Sequence, residues 1–289
     1  MRRWAVIAGC GAALLALAGC AFVRPQRDHP PSSPEQTARC QELSAIAQAA
    51  IDQRDYPRAQ GALGQLLAEA PHLAEAHQRL GLVLQAEGRL AEAEAAYRRA
   101  LELDPEYVAA LIGLGEIEAA VGRPEAALAR FDTAIEIDPR QARAHLAQGK
   151  VLEAVGRIDE ALAAYFRTLE LDPAAEAVIV RIATIQLARG QPDQALARLD
   201  QALELSPDDP EAHLQRGRAY LGLNHPAQAI ADLRFAAERF PRRPDIFYHL
   251  ALALSADHKP GDARQAAENA LRLAPDDAAA QDLARRFRR

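Results

Sequence analysis

The chain has 289 residues, 49% of them hydrophobic but only 5% aromatic, and a formal net charge of −6. That composition suits helices packed through alanine and leucine and argues against a β-rich core. The acidic excess disfavours nucleic acid as a partner.

Met1 to Gly19 carries arginines at positions 2 and 3, an apolar stretch from Trp4 to Ala18, and the ending Leu17-Ala18-Gly19-Cys20. This is the pattern of an export signal, and the apolar stretch is too short for a permanent spanning helix. Its last four residues resemble the lipobox of bacterial lipoproteins. The resemblance implies that residues 1–19 are a lipoprotein signal peptide and that Cys20 becomes the first mature residue, bearing a diacylglycerol thioether and an acylated amine. A second match, Ile7-Ala8-Gly9-Cys10, lies too near the N-terminus to leave an apolar core ahead of it. Loss of Arg2 and Arg3 takes the net charge to −8. Each buried acyl CH₂ contributes about 0.8 kcal/mol and stable anchoring takes two membrane signals, a condition a multiply acylated cysteine meets. Ala21, rather than aspartate, follows the cysteine. That resembles lipoproteins sorted to the outer membrane of Gram-negative bacteria, so its periplasmic face is the expected location.

Residues 20–38 form the next unit, a lipidated tether. Ala21 to about Thr37 carries four prolines and almost no apolar periodicity. At about 3.1 Å per extended residue it reaches up to roughly 50 Å from the lipid. Cys40, beyond it, is the one cysteine left after lipidation, and a lone thiol makes no intramolecular disulfide.

From residue 39 to residue 277 the chain repeats. Pro71, Pro105, Pro139, Pro173, Pro207, Pro241 and Pro275 follow one another at intervals of 34 with no insertion or deletion. In the same register a small residue recurs in a first helix: Ala47, Gly81, Gly115, Gly149, Ala183, Gly217 and Ala251. Alanine recurs early in a second helix, from Ala59 to Ala263, followed four residues later by a large apolar side chain in six units of seven: Leu63, Tyr97, Phe131, Tyr165, Leu199 and Leu233. Glycine inside a helix costs about 1 kcal/mol against alanine, so its return requires close helix contact, with the large residues as knobs between neighbours. Gly88, Gly122, Gly156, Gly190 and Asn224 stand between the paired helices, where a left-handed residue closes the first one. Pro124, Pro192, Pro226 and Pro260 then start the second helices. Arg54 and His258 occupy the glycine place in the first and last units, so the period alone does not fix those two turns.

This pattern resembles the tetratricopeptide repeat (TPR) family over residues 40–277, as seven consecutive units. The family signature is legible in Leu80-Gly81, Ala93, Tyr97, Ala100 and Pro105, and again in Leu111, Leu114-Gly115, Ala127, Phe131, Ala134 and Pro139. Its tryptophan is replaced by Leu43, His77, Leu111, His145, Ile179, His213 and Phe247, and its leucine before the glycine by Gln148 and Arg216. The resemblance implies an all-α, right-handed α-α superhelix whose first helices line a concave groove. One place on those helices carries Ile112, Leu146, Val180, Leu214 and Tyr248, an apolar ladder beside which stand Glu116, Lys150, Glu153 and Arg218. Two readings of the ladder stay open: it binds an extended or helical partner segment that the charges orient, or it packs against the adjacent helix. The lysine and asparagine set with which chaperone-binding members clamp a terminal carboxylate is missing from the first helices.

Residues 278–289 form a last helix with Ala280, Leu283, Ala284 and Phe287 on one face, suited to capping the open end. Arg285, Arg286, Arg288 and Arg289 complement its dipole.

No phosphate-binding glycine loop, zinc-protease helix, serine-nucleophile turn or cysteine pair occurs. His77, His145 and His213 recur on separate helices with a whole unit between them, too far apart to share a metal, so they read as packed residues and no cofactor is expected. The sequence therefore points to a non-enzymatic scaffold or adaptor that binds a protein partner in the bacterial envelope. Resemblance to TPR lipoproteins implies pilus, secretion, polysaccharide-export or cell-wall machinery. The alternatives are a structural lipoprotein that assembles with itself and a polymer-binding accessory subunit of an export system.

Overall fold

The computed structural model describes residues 33–287. The signal segment, Cys20 and most of the tether lie outside them. All regular structure among the described residues is helical, in consecutive pairs. The first three pairs are α1 (Pro34–Asp52) with α2 (Tyr56–Glu69), α3 (Ala74–Ala86) with α4 (Leu90–Leu103), and α5 (Val108–Ala120) with α6 (Pro124–Ile137). Next come α7 (Ala142–Ala154) with α8 (Ile158–Leu171) and α9 (Glu176–Ala188) with α10 (Pro192–Leu205). The last pairs are α11 (Pro210–Gly222) with α12 (Pro226–Arg239) and α13 (Pro244–Ala256) with α14 (Pro260–Leu273), and α15 (Ala278–Phe287) follows alone.

The boundaries follow local chemistry. Helix α1 begins five residues ahead of residue 39, because Ser33 caps it by accepting the Gln36 N–H at 3.1 Å and Pro34 supplies a first turn that needs no donor. Each first helix ends on a left-handed residue: Gly88, Gly122, Gly156 and Gly190 have positive φ, and so do Arg54, Asn224 and His258 at 57–59°. The turn is therefore the same in all seven units, and three side chains accept a conformation that normally favours glycine. Behind it the Arg89 N–H reaches back to the Leu84 carbonyl at 2.9 Å, closing the end of α3. Between units, Asp104, Asp138 and Asp172 each accept the N–H two residues on, at 3.0–3.2 Å, and so shape the Asp-Pro turn.

The recurring small residues have the packing reason their period demanded. The ring of Tyr97 lies on Gly81 of its own unit, where an added Cβ would stand 2.8 Å from the ring, and on Gly113 of the next, where it would stand closer still. Within the chain, glycine accompanies Tyr97, Phe131, Tyr165 and Leu233, whereas alanine accompanies Leu63, Leu199 and Ala267. An aromatic knob always stands over glycine, which leaves the ring its room, whereas leucine stands over glycine at Leu233 and over alanine at Leu63 and Leu199.

Departures from the signature are compensated. At the leucine place, Gln148 donates to Asp132 at 2.6 Å, and Arg216 bonds the buried Asp232 from Nε at 2.7 Å and Asp200 from Nη1 at 2.9 Å. The three histidines turn Nε2 toward the carbonyls of Pro71, Pro139 and Pro207, six residues earlier, at 2.9–3.1 Å. Gln281 donates in the same way to the Pro275 carbonyl at 2.8 Å. Helix α15 is therefore the first helix of an eighth unit in perfect register, and its Ala280, Leu283 and Ala284 are buried on the seventh. Exposed Arg285 occupies its glycine place, where a further second helix would have to lie.

First helices also meet their counterparts in neighbouring units, α3 with α5, α5 with α7, α9 with α11 and α11 with α13, and form the inner layer of a superhelical solenoid. The joints between units are not equal. Helix α9 packs on α8 more sparsely than any other first helix packs on the unit before it, and α3 on α2 comes second. Those two joints carry Thr168 and Leu66 where Ala100, Ala134, Ala202, Ala236 and Ala270 stand elsewhere. The larger side chains, both buried, hold the next helix off.

Candidate functional site

The ladder divides in two. Ile112 is 1% exposed, Val180 6% and Leu214 0%, so these three belong to the core and offer a partner no area; for them the packing reading is the right one. The period places a residue on a face but does not tell how deeply the adjacent helix covers it. Leu146 and Tyr248 remain half-exposed.

The charges beside the ladder divide as well. Glu116 is held by Arg143 of the next unit at 2.8 Å and by Gln85 of the preceding one at 3.1 Å, and Gln85 in turn accepts the Tyr97 hydroxyl at 2.8 Å. The place of Gln85 returns two units on as Glu153. Glu153 accepts Arg181 Nε at 2.7 Å and the Tyr165 hydroxyl at 2.8 Å. The hydrogen bond to Glu153 raises the Arg181 pKa, and burial followed by the same carboxylate raises that of Tyr165. These glutamates fasten one unit to the next. Lys150 and Arg218 make no ion pair among the described residues; Lys150 is exposed, and Arg218 donates to the side-chain oxygen of Gln215 at 2.7 Å.

At the sparse joint between α8 and α9 the inner layer opens into a trough of about 500 Å³. Leu146, Ile158, Ala177 and Val178 give it an apolar floor, while Lys150, Glu153 and Arg181 stand over it. Three residues singled out from the period, Leu146, Lys150 and Glu153, thus come together around one cavity. Arg181 was missed, and Tyr165 was read only as a knob. The available signal was the spacing of Arg143 and Arg181, which follow the glutamates they hold by 27 and 28 residues. Further along the layer, His249 is pushed down to about 4, by burial first and by Arg218 second.

The histidines have no free nitrogen to offer a metal in His213, whose Nδ1 meets Asp232 at 2.7 Å while Nε2 meets Pro207. Among the described residues there is no group of three or more potential metal ligands, and no helix is long and apolar enough to cross a membrane.

Paired helices at a 34-residue period, a small residue, glycine or alanine, at one place in each first helix and an inner layer of first helices define a helical repeat solenoid. Two family models, both described as Tetratricopeptide repeat, match it: one over residues 84–151, 152–219 and 186–231, the other over 44–108 and 214–278. The chain belongs to the tetratricopeptide repeat family. Solved structures agree on the fold. PilF of Pseudomonas aeruginosa is 20% identical with a TM-score of 0.67, over 74% of this chain and 97% of that one. YrrB, described as a TPR protein with an unusual peptide-binding site, is 24% identical at 0.57, over 65% and 96%. The Cut9–Hcn1 hetero-tetramer of the APC/C is 18% identical at 0.65 and covers 89% of this chain, which spans only 56% of the matched one. No curated protein sequence matches. Membership of the family implies a surface for protein partners.

Proposed function

We propose that this protein is a non-enzymatic adaptor, held in the bacterial envelope by lipid at Cys20, that captures a segment of a partner protein on its inner helix layer. The observation that carries the reading is the trough at the α8–α9 joint, where the close packing of the other joints gives way to an apolar floor overlooked by charges of both signs. Such a surface takes an extended or helical segment, apolar contacts supplying affinity and charges orientation. The tether and the envelope location rest on the Leu17–Cys20 ending and Ala21. The PilF likeness adds a further TPR fold and leaves the machinery open among pilus, secretion, export and cell-wall assemblies.

The test is crosslinking and affinity capture of the full-length chain from its own envelope, beside Leu146→Asp and Cys20→Ser forms. Leu146 is partly buried at the edge of the core, so the helical circular dichroism of the aspartate form is measured beside its capture and should match the parent. Partner recovery should fall by about tenfold or more, as for a lost interface anchor, and Cys20→Ser should release the chain from the membrane fraction. Equal recovery with Leu146→Asp removes the groove from the explanation. Capture of nothing but further copies of the chain replaces the adaptor by self-assembly.

A further inference from the structure

Charges along the inner layer do not cancel. In the fourth to seventh units the acidic side chains there are engaged: Glu153 by Arg181, Glu211 and Asp245 both by Arg243, and Glu176 by the Ser206 hydroxyl. Two of the cations are not. Lys150 and Arg218 hold the same place in the fourth and sixth units, and neither meets a carboxylate among the described residues. Thr184 stands between them at that place in the fifth unit, its hydroxyl turned back to the Val180 carbonyl at 2.9 Å. Apolar surface runs alongside, from the trough by Leu146 past half-buried Leu187 and Leu221 to Tyr248.

We propose that the segment bound in this groove is acidic and amphipathic, with carboxylates meeting Lys150 and Arg218 two units apart and an aliphatic side chain seated in the trough beside Leu146. This rests on the groove reading above and specifies its occupant. The chemistry selects against other segments. A basic one would face two unneutralised cations and find the acids already engaged. The whole chain carries −6, so an acidic segment is repelled over most of the surface and retained where cations outnumber free acids. Unpaired cations beside apolar surface thus serve selection more than stability.

The probes are two labelled peptides of equal length, one alternating glutamate with leucine and one alternating lysine with leucine. Binding to the full-length chain is read by fluorescence anisotropy at low and high salt. The glutamate peptide should bind, more weakly as salt rises, and the lysine peptide should not. Lys150→Glu with Arg218→Glu should weaken the glutamate peptide at least about tenfold, two attractions each becoming a repulsion. Arg167→Glu, on the exposed side of α8, should change nothing, and circular dichroism should show all forms equally helical. Equal binding of both peptides, binding of neither, or indifference to the double reversal overturns the acidic occupant. If Leu146→Asp still abolishes capture from the envelope, the groove stands with a different occupant; if it does not, the groove falls too.

Discussion

Gly115→Ala is expected to destabilise the array even though alanine is the better helix former. A Cβ built on Gly115 stands 2.6 Å from Cε1 and 2.9 Å from Cζ of Phe131, against an ordinary carbon contact of about 3.5–4.0 Å. The ring must retreat by roughly 1 Å, yet it is fully buried among the helices of the third and fourth units. Overpacking of this kind costs about 1–3 kcal/mol, and the gain in helix propensity returns about 1 kcal/mol. The difference is about 0–2 kcal/mol, and with the ring enclosed the net loss should lie in the upper half of that range. The chain supplies its own control, because Ala183 over Leu199 and Ala47 over Leu63 are the same joint in smaller form. Gly115→Ala with Phe131→Leu should therefore be less destabilised than the two changes summed, by about 1–3 kcal/mol. Urea unfolding followed by circular dichroism gives the energies, and hydrogen exchange in α5 and α6 tests whether the damage is local, as a repeat array requires. A Gly115→Ala chain more stable than the parent, or two changes that simply add, would refute the account of the glycine series.

Two further outcomes follow from the groove. Thr168→Ala should let α9 close on α8 as at the other joints, narrowing the trough. Capture of the partner should weaken while hydrogen exchange in α9 slows, and unchanged capture with a demonstrably tighter joint would separate trough from function. His249 is held neutral by burial and Arg218, at about 4 against about 6.5 in the unfolded chain. Between those values the unfolded chain binds more protons, so stability falls as pH drops from about 6.5 to about 4, by up to about 3 kcal/mol. His249→Leu, which reproduces Leu283 of α15 at the equivalent place, should flatten that window in acid-unfolding curves; an unchanged slope would assign it to other groups.

The architecture was legible because its signals were covalent and periodic. Proline, glycine and knob positions recur every 34 residues, and the helices obey them. Even Arg54 and His258, unsuited to a left-handed turn by residue type, adopt it, and the N–H groups of Asp55 and Lys259 close it on the Ala50 and Leu254 carbonyls at 2.8 and 2.9 Å. The candidate site was legible only in part. Register placed Leu146, Lys150 and Glu153 around one trough, but the burial of Ile112, Val180 and Leu214 depends on how closely the next unit approaches, which no single helix encodes. Glu116 and Glu153 looked free to orient a partner because their arginines lie in the following unit. The eighth first helix was read as a generic cap, since Gln281 replaces the histidine and Arg285 the glycine that would have disclosed its register.

Thr168 gives the solenoid an uneven elasticity. Tyr97 wedged between the glycines of two units makes a stiff link, and the second and third units should flex as one piece. At α8–α9 the arms on either side pack more sparsely, with the Glu153–Arg181 pair strapped across the gap. Tension along the superhelix would concentrate there, as load does at the thinnest section of a beam. A segment seated in the trough would then act as a splint, so that the groove's occupant governs the curvature of the entire arc and not merely its own site.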